Sequence, residues 1–118
     1  MKMIKLGAVA AVLMSILTGC SESADLSPSN KAITQVIDVR TAGEFAEGHV
    51  DGAINIDVEA LNFGDQIASL DKSGTYLVYC RTGRRSAIAF QQMSDAGFTV
   101  LDGNGLSDME GRGWQFVQ

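Results

Sequence analysis

One cysteine in an arginine-rich loop is the part of this sequence best suited to chemistry. Cys80 comes directly before Arg81, Thr82, Gly83, Arg84 and Arg85. The apolar residues 76–79 precede this loop, and residues 86–96 after it have the composition of a helix. A thiol at a helix N-terminus lies at the positive end of the helix dipole, and nearby guanidinium groups add full positive charges. Both effects favour the thiolate, so we expect Cys80 to be a nucleophile.

The segments around the loop predict a layered α/β fold. Runs rich in β-branched and aromatic residues predict strands at residues 33–39, 53–56, 75–79 and 100–101. Between and after them we expect helices over residues 41–47, 58–68 and 86–96, and a helical or irregular segment over residues 106–114. Strands that alternate with helices form a mostly parallel sheet. Ligands bind beyond the carboxyl ends of such strands, which is where Cys80 lies.

The N-terminus has the pattern of a targeting signal. Lys2 and Lys5 come before an apolar stretch over residues 6–17, which is shorter than the roughly 20 residues of a membrane span. The stretch ends in Leu-Thr-Gly-Cys at Cys20, which resembles the lipobox of bacterial lipoproteins. We therefore expect a signal peptide over residues 1–19, lipidated Cys20 with a flexible tether over residues 20–30, and one domain over residues 31–118. The alternative is an ordinary cleaved signal followed by a chance cysteine.

Charge and cysteine count exclude several classes of function. The chain has 9 Lys and Arg against 14 Asp and Glu, a net charge of −5, and loss of the signal peptide removes two lysines. No basic face remains for nucleic acid, so we expect no nucleic-acid partner. If Cys20 carries lipid, Cys80 has no partner for a disulfide or for dithiol chemistry. Cys80 and His49 are too few ligands for zinc, and we expect no metal or other cofactor.

Several ordered motifs resemble those of the single-domain rhodaneses, a family of sulfurtransferases. They lie at residues 37–40 (Ile-Asp-Val-Arg), 44–45 (Glu-Phe), 48–50 (Gly-His-Val), 52–55 (Gly-Ala-Ile-Asn), 80–87 and 96–98 (Ala-Gly-Phe). The resemblance implies a three-layer α/β fold with a central, mostly parallel sheet flanked by helices. It also implies that Cys80 accepts a sulfane sulfur from a small anionic donor. The resulting persulfide would then pass that sulfur to a thiophilic acceptor such as a thiol or cyanide.

The loop itself is consistent with this chemistry. The backbone N–H groups of residues 81–85, the helix dipole and the arginines could surround a dianion such as thiosulfate, so we assign substrate binding to Arg81, Thr82, Gly83, Arg84 and Arg85. The six-residue loop resembles the sulfurtransferases more than the related phosphatases, whose loop is one residue longer. A cysteine-based phosphatase or arsenate reductase remains the first alternative, and a non-catalytic binding module the second.

Individual residues near the loop invite more specific expectations. In the family, the residue after the nucleophile lies at the pocket mouth, which favours Arg81 as a substrate contact. Arg85 could face the substrate or pair with an acid that orients the loop. We expect a structural role for His49, and also for Asp38 and Arg40, through caps or an ion pair with Glu44.

The C-terminal end departs from the family pattern. Asn104-Gly105 stands where many relatives have two glycines, Met109 where they have tryptophan, and Asp51 replaces a frequent proline. These differences affect the wall beside the loop and leave the loop itself intact.

If the lipobox functions, the protein is anchored to a membrane of the cell envelope through its lipid, with the domain facing the periplasm or the cell exterior. The membrane is then a partner only through this anchor.

Overall fold

The computed structural model describes residues 24–118, which form an α/β domain. In chain order the elements are β1 (Gln35–Asp38), α1 (Ala42–Glu47), β2 (His49–Val50), β3 (Ile54–Asn55), α2 (Phe63–Ala68), β4 (Thr75–Tyr79), α3 (Arg84–Asp95), β5 (Thr99–Asp102), α4 (Leu106–Gly111) and β6 (Phe116–Val117). Within these residues no helix is long and apolar enough to cross a membrane.

Four parallel strands form the central sheet in the order β3-β1-β4-β5. Strands β1 and β4 are central and almost wholly buried. Asp38 lies opposite Tyr79 in the register of these two strands, so both strands end at the same edge of the sheet. The residues that follow them are therefore brought together at this edge.

Helices cover both faces of the sheet. Phe63 and Ile67 of α2 pack with Ala89 and Met93 of α3 on one face, in a cluster that also contains Cys80. The other face packs against α1 and α4, through apolar side chains that include Phe45, Leu106 and Met109. This arrangement confirms the predicted three-layer fold with a mostly parallel sheet.

Two helix starts and one pair of short strands differ most from the sequence-based expectation. Helix α2 begins at Phe63 rather than near residue 58, because the Val58 N–H donates to the carbonyl of Val39 at 3.1 Å and ties the chain to the sheet. Helix α3 begins at Arg84, two residues earlier than expected. Strands β2 and β6 pair antiparallel in a small second sheet. This sheet was not predicted, because each strand has only two residues and gives no clear pattern in the sequence.

Part of the predicted tether packs against the domain. The Trp114 Nε1–H donates to the carbonyl of Leu26 at 2.7 Å, and Leu26 packs in the α1/α4-face cluster. Asp25 Oδ1 accepts a 2.9 Å hydrogen bond from the Ser27 N–H, which orders the turn that follows. The described chain is therefore held in place from about residue 25, whereas Cys20 and the predicted signal peptide lie outside the described residues.

Candidate active site

The Cys80 loop joins the end of β4 to the start of α3. The Cys80 N–H donates to the carbonyl of Asn104 at 2.9 Å, which ties the loop to the chain after β5. Gly83 is the N-cap of α3 and has a φ of 109°, a conformation that a side chain would strain. This glycine turns the chain so that the first N–H groups of α3 point back towards the cysteine.

The Cys80 sulfur is buried and accepts two backbone hydrogen bonds. The Gly83 N–H lies 3.0 Å from Sγ and the Ser86 N–H lies 3.3 Å from it. Burial alone raises the pKa of the Cys80 thiol, but the hydrogen bonds from Ser86, Gly83 and Thr82 together lower this pKa by more. The result is a pKa below the ordinary value, in line with the expected nucleophile.

Glu44 holds two of the three loop arginines. Arg85 makes a bidentate pair with it, with Nη1 2.7 Å from Oε1 and Nη2 3.0 Å from Oε2. Arg81 adds a single bond from Nε to Oε2 at 3.1 Å. These contacts, led by the Arg85 hydrogen bond, hold the pKa of the Glu44 carboxyl far below its usual range. Arg85 therefore pairs with an acid, the second of the two roles expected for it.

The three arginines differ in their availability to a ligand. The Arg85 side chain is 16% exposed and both its terminal nitrogens are engaged. The Arg81 side chain is 51% exposed and, within residues 24–118, is bound only through Nε. Arg84 is 74% exposed and lies 3.9 Å from Glu59, a loose surface pair. Arg81 and Arg84 are thus the loop cations with room to contact an anion.

The chain after β5 forms a wall against the loop, at the positions where the sequence departs from the family pattern. Thr82 forms an isolated antiparallel bridge with Gly105, and the Leu106 N–H donates to the carbonyl of Arg81 at 3.0 Å. A Cβ on Gly105 would lie only 2.6 Å from that carbonyl oxygen. Asn104 has a φ of 67°, in the left-handed region that favours glycine. The Asn104-Gly105 pair was the sequence signal for this contact.

Asp38, Arg40 and Tyr79 form a buried network beneath the site. Arg40 Nε and Nη2 donate to the Asp38 carboxylate at 2.6 to 3.0 Å, and the Tyr79 hydroxyl donates to Asp38 Oδ2 at 2.8 Å. Arg40 thus pairs with Asp38, and the suggested ion pair with Glu44 does not form because Glu44 faces the loop arginines. The part of Tyr79 in this network was not foreseen from the sequence.

His49 has the contacts of a structural side chain. Its ring stacks on Phe45 with centroids 3.7 Å apart, and Nδ1 lies 2.8 Å from the Phe45 carbonyl. Among residues 24–118 no group of three or more His, Cys, Asp or Glu side chains is placed to hold a metal ion.

The site can present a thiolate that is held by backbone N–H groups at the start of α3. The N–H groups of Arg84 and Arg85, at the first two positions of α3, have no acceptor within the helix. Such N–H groups favour a negative charge close to Sγ. The arrangement suits covalent chemistry at sulfur with an anionic reactant.

Comparison with known proteins identifies the family. The profile of the rhodanese-like domain matches residues 22–106. Thiosulfate sulfurtransferase PspE of Escherichia coli is 39% identical over 74 residues, which cover 62% of this chain and 71% of that protein. Thiosulfate sulfurtransferase GlpE of Shewanella oneidensis is 34% identical over 64 residues, 54% of this chain and 61% of that protein.

Solved structures agree with the sequence comparisons. A rhodanese from E. coli, described as "with anions", superposes with a TM-score of 0.61 at 34% identity, over 71% of this chain and 96% of that one. A rhodanese-related protein from Thermoplasma volcanium gives a TM-score of 0.63 at 31% identity, over 74% and 85% of the two chains. These relatives support sulfurtransferase activity in general, and the chain belongs to the rhodanese-like domain family.

Proposed function

We propose that this protein transfers a sulfane sulfur from thiosulfate or a related anionic donor to a thiophilic acceptor through a persulfide on Cys80. The observation that carries the proposal is the buried Cys80 sulfur with the N–H groups of Gly83 and Ser86 at 3.0 and 3.3 Å. These donors stabilise negative charge on sulfur without a general base. The names of the thiosulfate sulfurtransferase relatives support the choice of donor.

In the first step, the Cys80 thiolate attacks the outer sulfur of thiosulfate. The new Sγ–S bond forms as the S–S bond of thiosulfate breaks, and the bonding electron pair leaves with sulfite. The persulfide anion keeps one negative charge, and the N–H groups at the start of α3 can donate to its terminal sulfur. Arg81 and Arg84, the exposed loop cations, are suited to attract the donor and to hold its oxygens.

In the second step, a nucleophilic acceptor attacks the terminal sulfur of the persulfide. A thiolate acceptor becomes a persulfide and cyanide becomes thiocyanate, and in both cases the Sγ–S bond breaks to restore the Cys80 thiolate. The same N–H groups of Gly83 and Ser86 then receive the returning charge on Sγ. No metal or other cofactor takes part in either step.

Intact-mass spectrometry of the full chain after thiosulfate treatment tests the proposal. We expect a mass gain of one sulfur atom that cyanide removes and that is absent in Cys80→Ser. A sulfur gain that persists in Cys80→Ser would overturn the assignment. Greater activity on phenyl phosphate than on thiosulfate would instead support phosphatase chemistry, and an unchanged cellular phenotype of Cys80→Ser would support a binding module.

We also propose that Cys20 carries the lipid anchor of a cell-envelope protein, with the domain facing the periplasm or the cell exterior. The lipobox-like sequence supports this. Since the Leu26 carbonyl is bound to Trp114, the chain from Cys20 to Leu26 spans about 20 Å at most and would keep the domain near the bilayer. Metabolic labelling with palmitate is expected to mark the wild-type chain, and label retained in Cys20→Ala would contradict the anchor.

A further inference from the structure

Glu44 lies outside the catalytic loop, yet its carboxylate joins the N-terminal cap of α1 to two arginines of that loop. One oxygen, Oε1, accepts the N–H and the hydroxyl of Thr41, both at 3.1 Å, and Arg85 Nη1 at 2.7 Å. The other oxygen, Oε2, accepts Arg85 Nη2 at 3.0 Å and Arg81 Nε at 3.1 Å. The Glu44 side chain is only 19% exposed, so these bonds are largely shielded from solvent.

The geometry points to Glu44 as the positioning residue of the catalytic loop, acting through Arg85 on the N–H groups that hold the Cys80 sulfur. This inference deepens the proposed function and rests on it in taking Cys80 as the nucleophile. Glu44 touches neither the thiol nor a reacting atom, so its effect must pass through the loop. The α1 capping box and the catalytic loop are thereby joined across the carboxyl ends of β1 and β4.

Arg85 transmits the constraint because of its place in the chain. It is the residue before Ser86, whose N–H donates to Cys80 Sγ, and it comes two residues after Gly83, the other donor. A bidentate pair fixes the direction of a guanidinium as well as its distance. Holding the Arg85 side chain against Glu44 therefore holds the first turn of α3 in the orientation that directs both N–H groups at the sulfur.

Arg81 is held differently by the same carboxylate. Among the described residues it is bound only through Nε, so neither terminal nitrogen has a partner there, and half of the side chain is exposed. Glu44 thus fixes Arg85 as an internal support and leaves Arg81 able to turn its terminal nitrogens to a bound anion. This division separates the orientation of the loop from recognition of the donor, although both arginines bind one acid.

Glu44→Gln separates the two functions of this side chain. Glutamine is accepted at the third position of a capping box, so the Thr41 contacts can persist, but its amide cannot accept the two parallel bonds of Arg85. The measurement is the rate of Cys80 alkylation by iodoacetamide at a pH below the thiol pKa, together with kcat/KM for thiosulfate. We expect each to fall by about tenfold, the value of one hydrogen bond to a charged group.

The sign of the change distinguishes positioning from a simple effect of charge. Removal of a nearby negative charge, with no change in the loop, favours the thiolate and speeds alkylation. An alkylation rate in Glu44→Gln that equals or exceeds the wild-type rate would therefore overturn the inference. Glu59→Gln is the matched control, because Glu59 is the exposed partner of Arg84 and its replacement removes the same charge. This variant is expected to change the alkylation rate by less than twofold.

A second control addresses helix stability. Thr41→Ala removes the α1 cap and leaves the Arg85–Glu44 pair, so it should lower the thermal midpoint without slowing alkylation. Equal slowing in Thr41→Ala and Glu44→Gln would show that only helix stability matters. If Glu44→Gln does not fold, Arg85→Lys answers the same question, because lysine keeps the charge but cannot pair in two parallel bonds. A wild-type alkylation rate in Arg85→Lys would refute the inference.

The alkylation assay does not require sulfur transfer. If wild-type Cys80 forms no persulfide but is slowed by Glu44→Gln, the proposed function fails while the positioning role of Glu44 stands. If Glu44→Gln forms the persulfide and is alkylated at the wild-type rates, the proposed function stands while the positioning role of Glu44 fails.

Discussion

Replacement of Gly105 by alanine tests whether the wall after β5 holds the Cys80 loop in place. Gly105 has φ of −102° and ψ of 178°, values open to any residue, so its backbone conformation does not require glycine. The requirement is space, because an added Cβ would lie 2.6 Å from the Arg81 carbonyl oxygen and 3.0 Å from Thr82 Cα. Both neighbours are backbone atoms and cannot rotate away as a side chain could.

The size of the effect follows from these distances. Ordinary contact begins near 3.4 Å, so the Arg81 carbonyl and Gly105 must separate by about 0.8 Å. That movement stretches the 3.0 Å bond from the Leu106 N–H to the same oxygen. Strain of about 1–3 kcal/mol, with about 1 kcal/mol for the weakened hydrogen bond, gives an expected loss of about 2–4 kcal/mol in the free energy of unfolding. If Cys80 is the nucleophile, as proposed, a shift of this size beside it should reduce kcat/KM by about tenfold to a hundredfold.

Urea unfolding and thiosulfate turnover of the same preparations measure both effects. Gly111→Ala is the matched control, because Gly111 ends α4 and has no atom within 4 Å of an added Cβ. We expect the control to change the free energy of unfolding by no more than about 1 kcal/mol, in the stabilising direction, and to leave turnover unchanged. Gly105→Ala with wild-type stability and turnover would refute the role of this close contact.

Three further results are expected. The pKa of Glu44 in the folded chain lies below its ordinary value of 4.5, so the stability that Glu44 contributes is complete above pH 4.5 and is lost as the pH falls further. Between pH 6 and pH 3, the free energy of unfolding in urea should therefore fall by about 1 kcal/mol more in the wild type than in Glu44→Gln. Equal falls in the two proteins would contradict this. Tyr79→Phe leaves the buried Val50 N–H without its acceptor, a 2.9 Å bond, and should lower the free energy of unfolding by about 1–3 kcal/mol with no change in Cys80 alkylation. Arg81→Gln should raise the KM for thiosulfate several-fold and leave the alkylation rate within twofold, whereas a fall in kcat alone would argue against donor contact by Arg81.

The conformation of the Cys80 loop was predictable because its determinants are adjacent in sequence. Tyr79 and its neighbours form an apolar strand, Gly83 permits the turn, and the residues that follow favour a helix. Those three local properties place a thiol at a helix N-terminus without knowledge of any distant residue. The same reasoning failed for residues 58–62, where a hydrogen bond from Val58 to the sheet decides the conformation.

The partners of the charged residues were not predictable in the same way. Arg40 has acids at two positions nearby, Asp38 and Glu44, and spacing alone does not choose between them. The choice depends on the loop arginines 37 and 41 residues beyond Glu44, which reach its carboxylate only after β1 and β4 have paired. Contacts of this kind follow from strand order, and the sequence contains no local signal for them.

The contacts of Glu44 also bear on the choice between sulfur and phosphate chemistry. A phosphate dianion bound at a cysteine loop needs a guanidinium that can pair with two of its oxygens. Arg85 is the last residue of the loop, and both of its terminal nitrogens already donate hydrogen bonds to Glu44. A persulfide carries a single charge on one sulfur, and the N–H groups of the α3 N-terminus can satisfy it without Arg85. Loop length and the engagement of Arg85 are independent properties, and both favour the proposed sulfur transfer over phosphate chemistry at Cys80.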